Sequence, residues 1–360
     1  MSVKQLDEFD LTELQAKAKE RTVKTQTIEY DLETLLKRIR SGYIRIDPSY
    51  QRRHRWKNGT SSRLIESLLL NIPIPTIYIS QDIDIDDADD DSPVFTVIDG
   101  QQRLTAIRDF LENNLELTEL EVLDTLNGMK YEDLPRFLKR RLQDRSLSCL
   151  RIDSTVDQQV KYDIFERLNS GSVELTAQEL RNATYRSPFN EMIKTLSEDE
   201  RFKRLANVSE NKQNKMEDVE LILRFYALTE GRYQNYKPNM KDFLNDSMYE
   251  FSKLAEEELG PYRERFIHEF EVIEKVLGGC PFARWKKDGS GLASRFNTAV
   301  YDAVIVACDT NQPFSPTASS ALRELFNEES FQESISGSMN DTNKLFTRIG
   351  AVKRAVLDGD

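Results

Sequence analysis

The sequence predicts an α+β N-terminal domain followed by an all-α helical domain. Three observations support this fold class. The chain has 360 residues, enough for about two domains. Its first half alternates β-rich runs with segments of helical spacing, whereas no convincing strand follows Pro188. We therefore expect an N-terminal extension at residues 1–27, an α+β domain at 28–187 and a helical domain at 188–360.

Each element of the first domain has a local signal. Asp31 can cap a helix of apolar spacing that Gly42 then ends. A second helix opens near Asn58 and is stopped by Pro73 and Pro75. The segment between the second and third predicted strands is acidic. The other predicted elements are strands at 43–46, 76–79, 94–98 and 147–152 and helices at 136–145 and 160–168. After residues 99–103, helical spacing is seen at Leu104, Ile107, Phe110 and Leu111.

Apolar spacing in the second half indicates helices only. Thr176 and Glu179 form a capping box, so a helix starts there. Four polar residues share one face of that helix: Gln178, Arg181, Asn182 and Tyr185. Such a face is commonly solvated, but these side chains would also suit the wall of a polar cleft. Further helices are expected around 219–226, 249–254, 266–276, 299–308 and 322–326.

Composition argues against several classes of function. Lys and Arg number 50 against 62 Asp and Glu, so a net charge of −12 disfavours uniform coating of nucleic acid but allows a local basic groove. The two histidines, His54 and His268, cannot build a histidine-rich zinc site or a His-Asn-His nuclease centre. The three cysteines lack C-x-x-C spacing and are predicted to be buried thiols: Cys149, Cys280 and Cys308.

The unpatterned cysteines also predict a reducing compartment. The N terminus has no apolar signal region. No stretch approaches about 18 consecutive apolar residues, so no membrane span is expected. The sequence thus predicts a cytoplasmic protein. It leaves the oligomeric state open, and a homo-oligomer is compatible with it.

The strongest local signal for a site is the segment 98–104, Ile-Asp-Gly-Gln-Gln-Arg-Leu, where a strand ends, a glycine turns the chain and a helix begins. The N–H groups of a first helical turn form a natural anion site, and Arg103 adds a guanidinium suited to phosphate. Asp99 could hold a metal ion or position a water molecule. The alternative is that Asp99 only caps the helix and that Arg103 is a surface residue.

A second signal is the segment 50–57, in which basic residues interleave with aromatic ones. Such a mixture can bind phosphates and stack on bases, although a polar loop with Trp56 anchored in the core would have the same pattern. If DNA binds, the expected contacts are Arg53, Arg55 and Lys57. The basic helix at 136–145 could support them with a phosphate-contacting stripe, the alternative being a solvated helix face.

These segments, taken in order, resemble a known family, typified by the N-terminal domain of the GmrSD modification-dependent restriction systems. The matching segments are 46–52, 64–75, 97–105, 165–171 and 177–183. The resemblance spans roughly residues 28 to 310. It implies a ParB/sulfiredoxin-like fold for the first domain, in which the segment matching Asp99–Arg103 lies at a nucleotide phosphate site.

The implied ligand is a nucleoside triphosphate, accompanied by magnesium, although the sequence offers no dedicated carboxylate cluster for the metal. At the site that the resemblance implies, catalytic roles are expected for three residues: Arg103 holds phosphate charge, Asp99 positions a metal ion or a water molecule, and Gln102 orients the attacking water. The expected nucleotide-binding residues are Tyr50, Gln51, Arg52, Gly100, Gln101, Asn169, Arg181 and Asn182.

Some family members, such as the phosphorothioate-sensing SspE proteins, are described as nucleoside triphosphatases that recognise modified DNA. The resemblance implies a nucleotide-dependent DNA-sensing component of a bacterial restriction or antiphage defence system. The alternative is a non-catalytic adaptor that binds nucleotide or DNA. His54 and Arg55 stand where many relatives have an aromatic and an aliphatic residue. The chain also lacks the His-Asn-His nuclease domain of longer relatives, so DNA cleavage would need a separate nuclease subunit.

Overall fold

The computed structural model describes residues 24–46, 56–81, 95–153, 158–168, 175–287, 291–337 and 341–357. The chain divides into two compact units, at residues 1–174 and 175–360. The division falls 13 residues before the boundary expected at 187. The acidic segment between the predicted strands at 76–79 and 94–98 lies outside the described residues.

A mixed five-stranded sheet forms the centre of the described part of the first unit, with the strand order β1-β5-β3-β4-β2. Strand β5 is antiparallel to β1 and parallel to β3, whereas β4 is antiparallel to β3 and parallel to β2. The edge strand β1 was not predicted, because Ile28 and Tyr30 alone give too short an alternation. The strands are β1 (Thr25–Asp31), β2 (Ile44–Arg45), β3 (Ile77–Gln81), β4 (Phe95–Asp99) and β5 (Ser146–Ile152).

The helices of the first unit follow their local signals. The Asp31 carboxylate accepts the Thr34 N–H at 2.7 Å, which confirms the predicted cap of α1. Gly42 follows the end of that helix with a φ of +76°, as expected for a terminating glycine. The described helices are α1 (Leu32–Arg40), α2 (Asn58–Leu69), α3 (Gln101–Leu111), α4 (Arg136–Gln143) and α5 (Gln158–Leu168).

The core of the first unit lies between the sheet and helices α2, α3 and α4. Ile77 and Val97 contribute the sheet side, and Leu68 and Phe110 contribute the helix side, all four without exposed surface. This burial supplies the main stabilisation of the unit, since apolar area removed from water is the dominant favourable term in folding. It also fixes the end of β4 against the start of α3.

A buried carboxylate organises the loop that follows α3. Glu66 of α2 is 6% exposed and accepts backbone N–H groups from Glu121 at 3.4 Å and from Val122 and Leu123 at 2.8 Å. Burial acts to raise the pKa of Glu66, but the three N–H donors outweigh it and hold the pKa below its ordinary value. The ionised carboxylate therefore stabilises the folded loop.

We expect Glu66→Gln to lower the free energy of unfolding by about 2 kcal/mol at pH 7, since hydrogen bonds to charged groups contribute about 1.5–3 kcal/mol. Because the folded pKa is lowered, this contribution is present above the unfolded pKa and is lost as pH falls through the folded pKa. Urea unfolding of the wild type and the variant at pH 7 measures the lost stability, and the same experiment at pH 3 measures how far this difference disappears in acid. Glu121→Gln, in the same loop but 66% exposed, is the control. Equal losses for the two variants would contradict the assignment.

The second unit is mainly helical, as expected, but the prediction of an all-α domain is wrong. Two short antiparallel strands, β6 (Arg284–Trp285) and β7 (Leu292–Ser294), form a hairpin. Strands of two and three residues are too short to give the alternation that identifies a strand in a sequence. The described helices are α6 (Ala177–Thr184), α7 (Pro188–Ser197), α8 (Glu200–Ala206), α9 (Glu210–Gln213), α10 (Glu217–Leu228), α11 (Met240–Phe251), α12 (Gly260–Leu277), α13 (Thr298–Cys308), α14 (Ala318–Glu324), α15 (Glu329–Ser334) and α16 (Thr342–Val356).

The predicted cytoplasmic location rested on the cysteines and on the lack of long apolar stretches, and the structure describes both features. Cys149 and Cys308 are buried free thiols, as expected, but Cys280 is exposed, so that prediction is wrong for it. Cys280 follows the end of α12 at Gly278, where the chain turns at the surface. Among the helices of the described residues, none combines the length and the apolar character needed to cross a membrane. A cytoplasmic location stays a prediction.

Candidate functional site

The junction between β4 and α3 has the predicted strand-turn-helix geometry. Strand β4 ends at Asp99, Gly100 takes a left-handed conformation with φ +98°, and α3 begins at Gln101. The Leu104 N–H donates to the Gly100 carbonyl at 2.9 Å and closes the first helical turn. Because the N-cap is glycine, it offers no side-chain acceptor to the N–H groups of this turn. The geometry is therefore that of an anion-binding helix start.

Glycine is required at position 100 for two reasons. A φ of +98° is unfavourable for residues with a side chain. In addition, a Cβ atom here would overlap Cδ1 of Ile77 and would lie 3.2 Å from a terminal nitrogen of Arg103. The absence of a side chain thus allows β3 and the Arg103 guanidinium to pack directly against the turn.

Arg103 is committed to this junction rather than to the surface. One terminal nitrogen lies 2.5 Å from Asp99 Oδ2, and the other donates to the carbonyl of Pro75 and approaches that of Thr76 at 3.4 Å. The Arg103 side chain is 11% exposed, whereas that of Asp99 is 49% exposed. The arginine therefore holds a solvent-facing carboxylate in a fixed orientation beside the first turn of α3. Asp99 does not cap the helix, because Gly100 occupies the N-cap position.

The two glutamines have different local roles. Gln101 is 2% exposed, and its amide donates to the Val97 carbonyl at 2.9 Å, so its side chain fastens α3 to β4. The Gln102 side-chain oxygen accepts the Trp56 N–H at 3.2 Å. Since this oxygen already accepts a protein hydrogen bond, the NH₂ group of Gln102 is the better placed to act on a ligand, as a donor to a phosphate oxygen.

The Trp56–Gln102 hydrogen bond brings the starts of α2 and α3 together, although the two residues are 46 positions apart. Helix N termini carry a partial positive charge, so both starts favour negative groups. At α2 the Glu119 carboxylate already packs against Gly59, where an added Cβ would overlap it. The start of α3, capped by a glycine, is therefore the better candidate for an external anion.

Residues 32–186 match the family described as GmrSD restriction endonuclease, N-terminal domain. Residues 32–186 are a GmrSD N-terminal domain. This confirms the family resemblance for these residues, and the whole junction from Asp99 to Arg103 lies inside the match, whereas the resemblance expected beyond residue 186 stays a prediction. No match to the chain was found among curated proteins. The family description points to a component of a restriction or defence system.

The GmrSD N-terminal domain also contains a buried thiol near the site. Cys149 of β5 lies beside Ile77 of β3 in the sheet and has no exposed surface. Burial raises the pKa of the Cys149 thiol to about 12, although Arg103 acts in the opposite direction. A neutral, enclosed thiol is a poor nucleophile, so Cys149 serves the core of the domain rather than its chemistry.

Several predicted site residues of the GmrSD N-terminal domain lie outside the described residues: Tyr50, Gln51, Arg52, Arg53, Arg55 and Asn169. Lys57 is described. It is exposed and is the N-cap residue of α2, and its side chain makes no cap hydrogen bond. Trp56 and Lys57 are the last two residues of the segment 50–57, and the Trp56 hydrogen bond holds this end of the segment beside α3.

Arg181 and Asn182 fall at the end of the GmrSD N-terminal domain match, on α6 of the second compact unit. The predicted capping box of α6 is confirmed by the Thr176 and Glu179 hydrogen bonds. The polar face of α6 is not solvated, because its four residues are each at most 1% exposed. Nucleotide binding by Arg181 and Asn182 stays a prediction.

The Arg181 guanidinium has partners inside the second unit: Gln178 at 2.8 Å, Asn245 at 3.2 Å and Glu220 at 2.6 Å. Burial acts to raise the pKa of Glu220, but Arg224 and Arg181 together lower it. The network continues from Arg224 to the buried residues Asp302 and Arg348. Four residues of this network were not predicted: Glu220, Arg224, Asp302 and Arg348. The i, i+4 spacing of Glu220 and Arg224 was the one local signal for them.

No group of three or more His, Cys, Asp and Glu side chains in the described residues is arranged to hold a metal ion. Near the junction the geometry offers one oriented carboxylate, Asp99. Magnesium is commonly held by one or two carboxylates together with substrate phosphates. A single carboxylate would fit magnesium only together with substrate phosphates, and a role of Asp99 as a magnesium ligand stays a prediction.

Proposed function

We propose that this chain is a nucleotide-dependent DNA-sensing component of a bacterial restriction or antiphage defence system, and that it hydrolyses a nucleoside triphosphate at the start of α3. The ParB/sulfiredoxin-like type of the first domain is part of this proposal. One observation carries it. The glycine-capped first turn of α3 meets a guanidinium–carboxylate pair whose carboxylate faces the solvent. A separate nuclease subunit would cut the DNA.

In this proposal the phosphates bind at the first turn of α3, where backbone N–H groups and the helix dipole favour negative charge. Arg103 adds positive charge and fixes Asp99, and the NH₂ group of Gln102 donates to a phosphate oxygen or, as expected from the sequence, to the attacking water. Asp99 positions the attacking water or the magnesium ion. Magnesium, when bound with the nucleotide, would neutralise charge on the phosphate oxygens. The protein groups are oriented before substrate arrives, which is the usual source of electrostatic catalysis.

A non-catalytic adaptor is the second candidate, and a specific observation favours it. Asp99 is already paired with Arg103 at 2.5 Å. A carboxylate that is held by an arginine is less available to bind a metal ion or a water molecule. Such a site could bind a nucleotide without cleaving it, and the chain would then signal nucleotide or DNA binding to a partner subunit.

Phosphate release separates the two candidates. The full chain should release phosphate from at least one of the four nucleoside triphosphates, in the presence of magnesium and of modified or unmodified DNA. Asp99→Asn should retain binding in calorimetry and lose turnover, because the amide can still accept from Arg103 but carries no charge. Binding of a nucleotide without phosphate release under all conditions would favour the adaptor. Unchanged turnover in Asp99→Asn would remove Asp99 from the mechanism.

DNA binding, if it uses the predicted segment, should be strongly salt-dependent despite the net charge of −12. Each phosphate neutralised adds roughly 0.9 to the slope of log affinity against log salt. Replacing Arg53 and Arg55 with alanine should therefore flatten the slope for duplex DNA by about 1 to 2. Arg263→Ala with Arg354→Ala, two exposed arginines of the second unit, removes the same charge as a control. An unaltered slope in the Arg53 and Arg55 variant would exclude these residues as the DNA contact.

A further inference from the structure

Helix α4 concentrates positive charge in a protein of negative net charge. Five cationic residues lie between positions 136 and 145, against one carboxylate, Asp144, which is the C-cap. The first turn of the helix contains no acidic residue. Leu138 and Leu142 are 5% and 1% exposed and fix the opposite face of the helix in the core. The orientation of the basic face is therefore set by packing.

Three of the five cations have partners within the first unit. The Lys139 ammonium donates to the Glu132 carbonyl at 2.6 Å, Arg141 donates to the Leu69 carbonyl at 3.2 Å, and Arg145 donates to the Ile72 carbonyl at 2.7 Å. These bonds are to neutral carbonyl groups, so the charges remain uncompensated.

Arg136 and Arg140 are exposed, and none of the described residues forms an ion pair or a hydrogen bond with either guanidinium. They are four positions apart and therefore lie on the same side of the helix. Both charges face the solvent directly. The two arginines thus present a pair of unpaired guanidinium groups about one helical turn apart.

Phe137 lies beside these arginines and is 66% exposed. It is three and four positions before Arg140 and Arg141, so all three side chains emerge from one face of α4. An isolated exposed apolar residue needs no explanation. An aromatic ring surrounded by arginines is different, because this combination provides both a stacking surface and phosphate ligands.

We propose that the α4 face formed by Arg136, Phe137, Arg140 and Arg141 binds single-stranded DNA, with Arg136 and Arg140 on phosphates and Phe137 stacked on a base. Single-stranded DNA fits better than an intact duplex because a duplex hides the faces of its bases. The cations on this face are all arginines, whose planar forks suit phosphate. The choice of DNA over RNA rests on the proposed DNA-sensing function, whereas the contact itself rests on the geometry of α4.

The test uses the full chain and a fluorescently labelled 20-nucleotide oligothymidylate in an anisotropy titration. Arg136→Ala with Arg140→Ala should weaken binding at least about 10-fold at low salt, and should flatten the salt slope by roughly 1.4, since each phosphate contact on a single strand contributes roughly 0.7. Phe137→Ala should weaken binding roughly 5- to 150-fold, as expected for one stacked base, and leave the slope unchanged. Arg263→Ala with Arg354→Ala is the control for loss of two charges and should change neither value.

Stacking is tested separately with an abasic deoxyribose-phosphate oligomer, which should bind the wild-type chain and Phe137→Ala equally. Unchanged oligothymidylate affinity in both α4 variants would overturn the proposal. Equally tight wild-type binding of the abasic oligomer and the oligothymidylate would also overturn it. Binding of phosphatidylserine vesicles or of a polyglutamate peptide without binding of oligothymidylate would instead assign the face to a membrane or to an acidic protein.

The proposed function and this inference can fail independently. Arg103→Ala should keep its affinity for oligothymidylate, because Arg103 belongs to the α3 junction. Phe137→Ala should keep the basal phosphate release of the wild-type chain. A chain that never hydrolyses a nucleotide, but whose α4 variants lose oligothymidylate binding, would refute the hydrolysis proposal and support the α4 contact. The substitutions on α4 and the two control substitutions are at exposed positions, so their circular dichroism melting curves should coincide with that of the wild type.

Discussion

Gly100→Ala is expected to lower the free energy of unfolding of the first unit by about 3 kcal/mol and to abolish nucleotide binding. Two costs add. A side chain at φ +98° is strained by about 1–2 kcal/mol. The new Cβ also overlaps Cδ1 of Ile77, and overpacking of this kind costs about 1–3 kcal/mol. Urea unfolding followed by circular dichroism measures the stability, and calorimetry measures nucleotide affinity.

The structure supplies a matched control for this substitution. Gly128 has a similar φ of +86°, but a Cβ there would have no neighbour within 4 Å. Gly128→Ala should therefore show the conformational cost alone, about 1–2 kcal/mol. Ile77→Val removes Cδ1, so the double variant Ile77→Val with Gly100→Ala should recover part of the lost stability. If Gly100→Ala and Gly128→Ala lower the free energy of unfolding equally, Ile77 does not pack closely against residue 100.

Arg103→Ala is expected to weaken nucleotide binding by about 100-fold and to abolish any phosphate release. The guanidinium brings positive charge to the α3 start and orients Asp99, and hydrogen bonds to charged groups contribute about 1.5–3 kcal/mol. A loss of 2.7 kcal/mol corresponds to about 100-fold in affinity. Calorimetric titration with the nucleotide that gives the highest turnover, or the tightest binding if none is hydrolysed, measures the effect. Unchanged affinity would remove Arg103 from the site.

Arg108→Ala is the control, because Arg108 lies on the same helix, is 31% exposed and pairs with its neighbour Asp109. The Arg108→Ala variant should keep a nucleotide affinity within about twofold of the wild type, because Arg108 lies in the last turn of α3, away from the first turn. Arg103→Lys keeps the charge but cannot reach Asp99 and the Pro75 carbonyl together, so we expect intermediate affinity. A similar loss in Arg108→Ala and Arg103→Ala would indicate a general charge effect rather than a specific site.

Much of the first domain could be predicted because its signals are local. Asp31 caps α1 through Thr34, three residues away, and Gly42 ends the same helix. The run from β4 through Gly100 into α3 was also predictable, since a β-rich segment, a glycine and a helical period follow each other directly in the sequence. β1 and the β6–β7 hairpin were missed, because short or edge strands give weak alternation.

The sequence by itself determined which segment carries the candidate site, since the residues of the β4–α3 junction are consecutive. Only the tertiary structure decided what each side chain contacts. Gln102 receives the Trp56 N–H across 46 positions, and Arg181 pairs with Glu220 across 39. The spacing of apolar residues shows which neighbouring residues of one helix or one strand lie on the same face. This spacing carries no information on which distant element will cover that face, because packing of the whole chain selects the partner. For this reason the polar face of α6 was open to two interpretations in the sequence and is a buried ionic network in the fold.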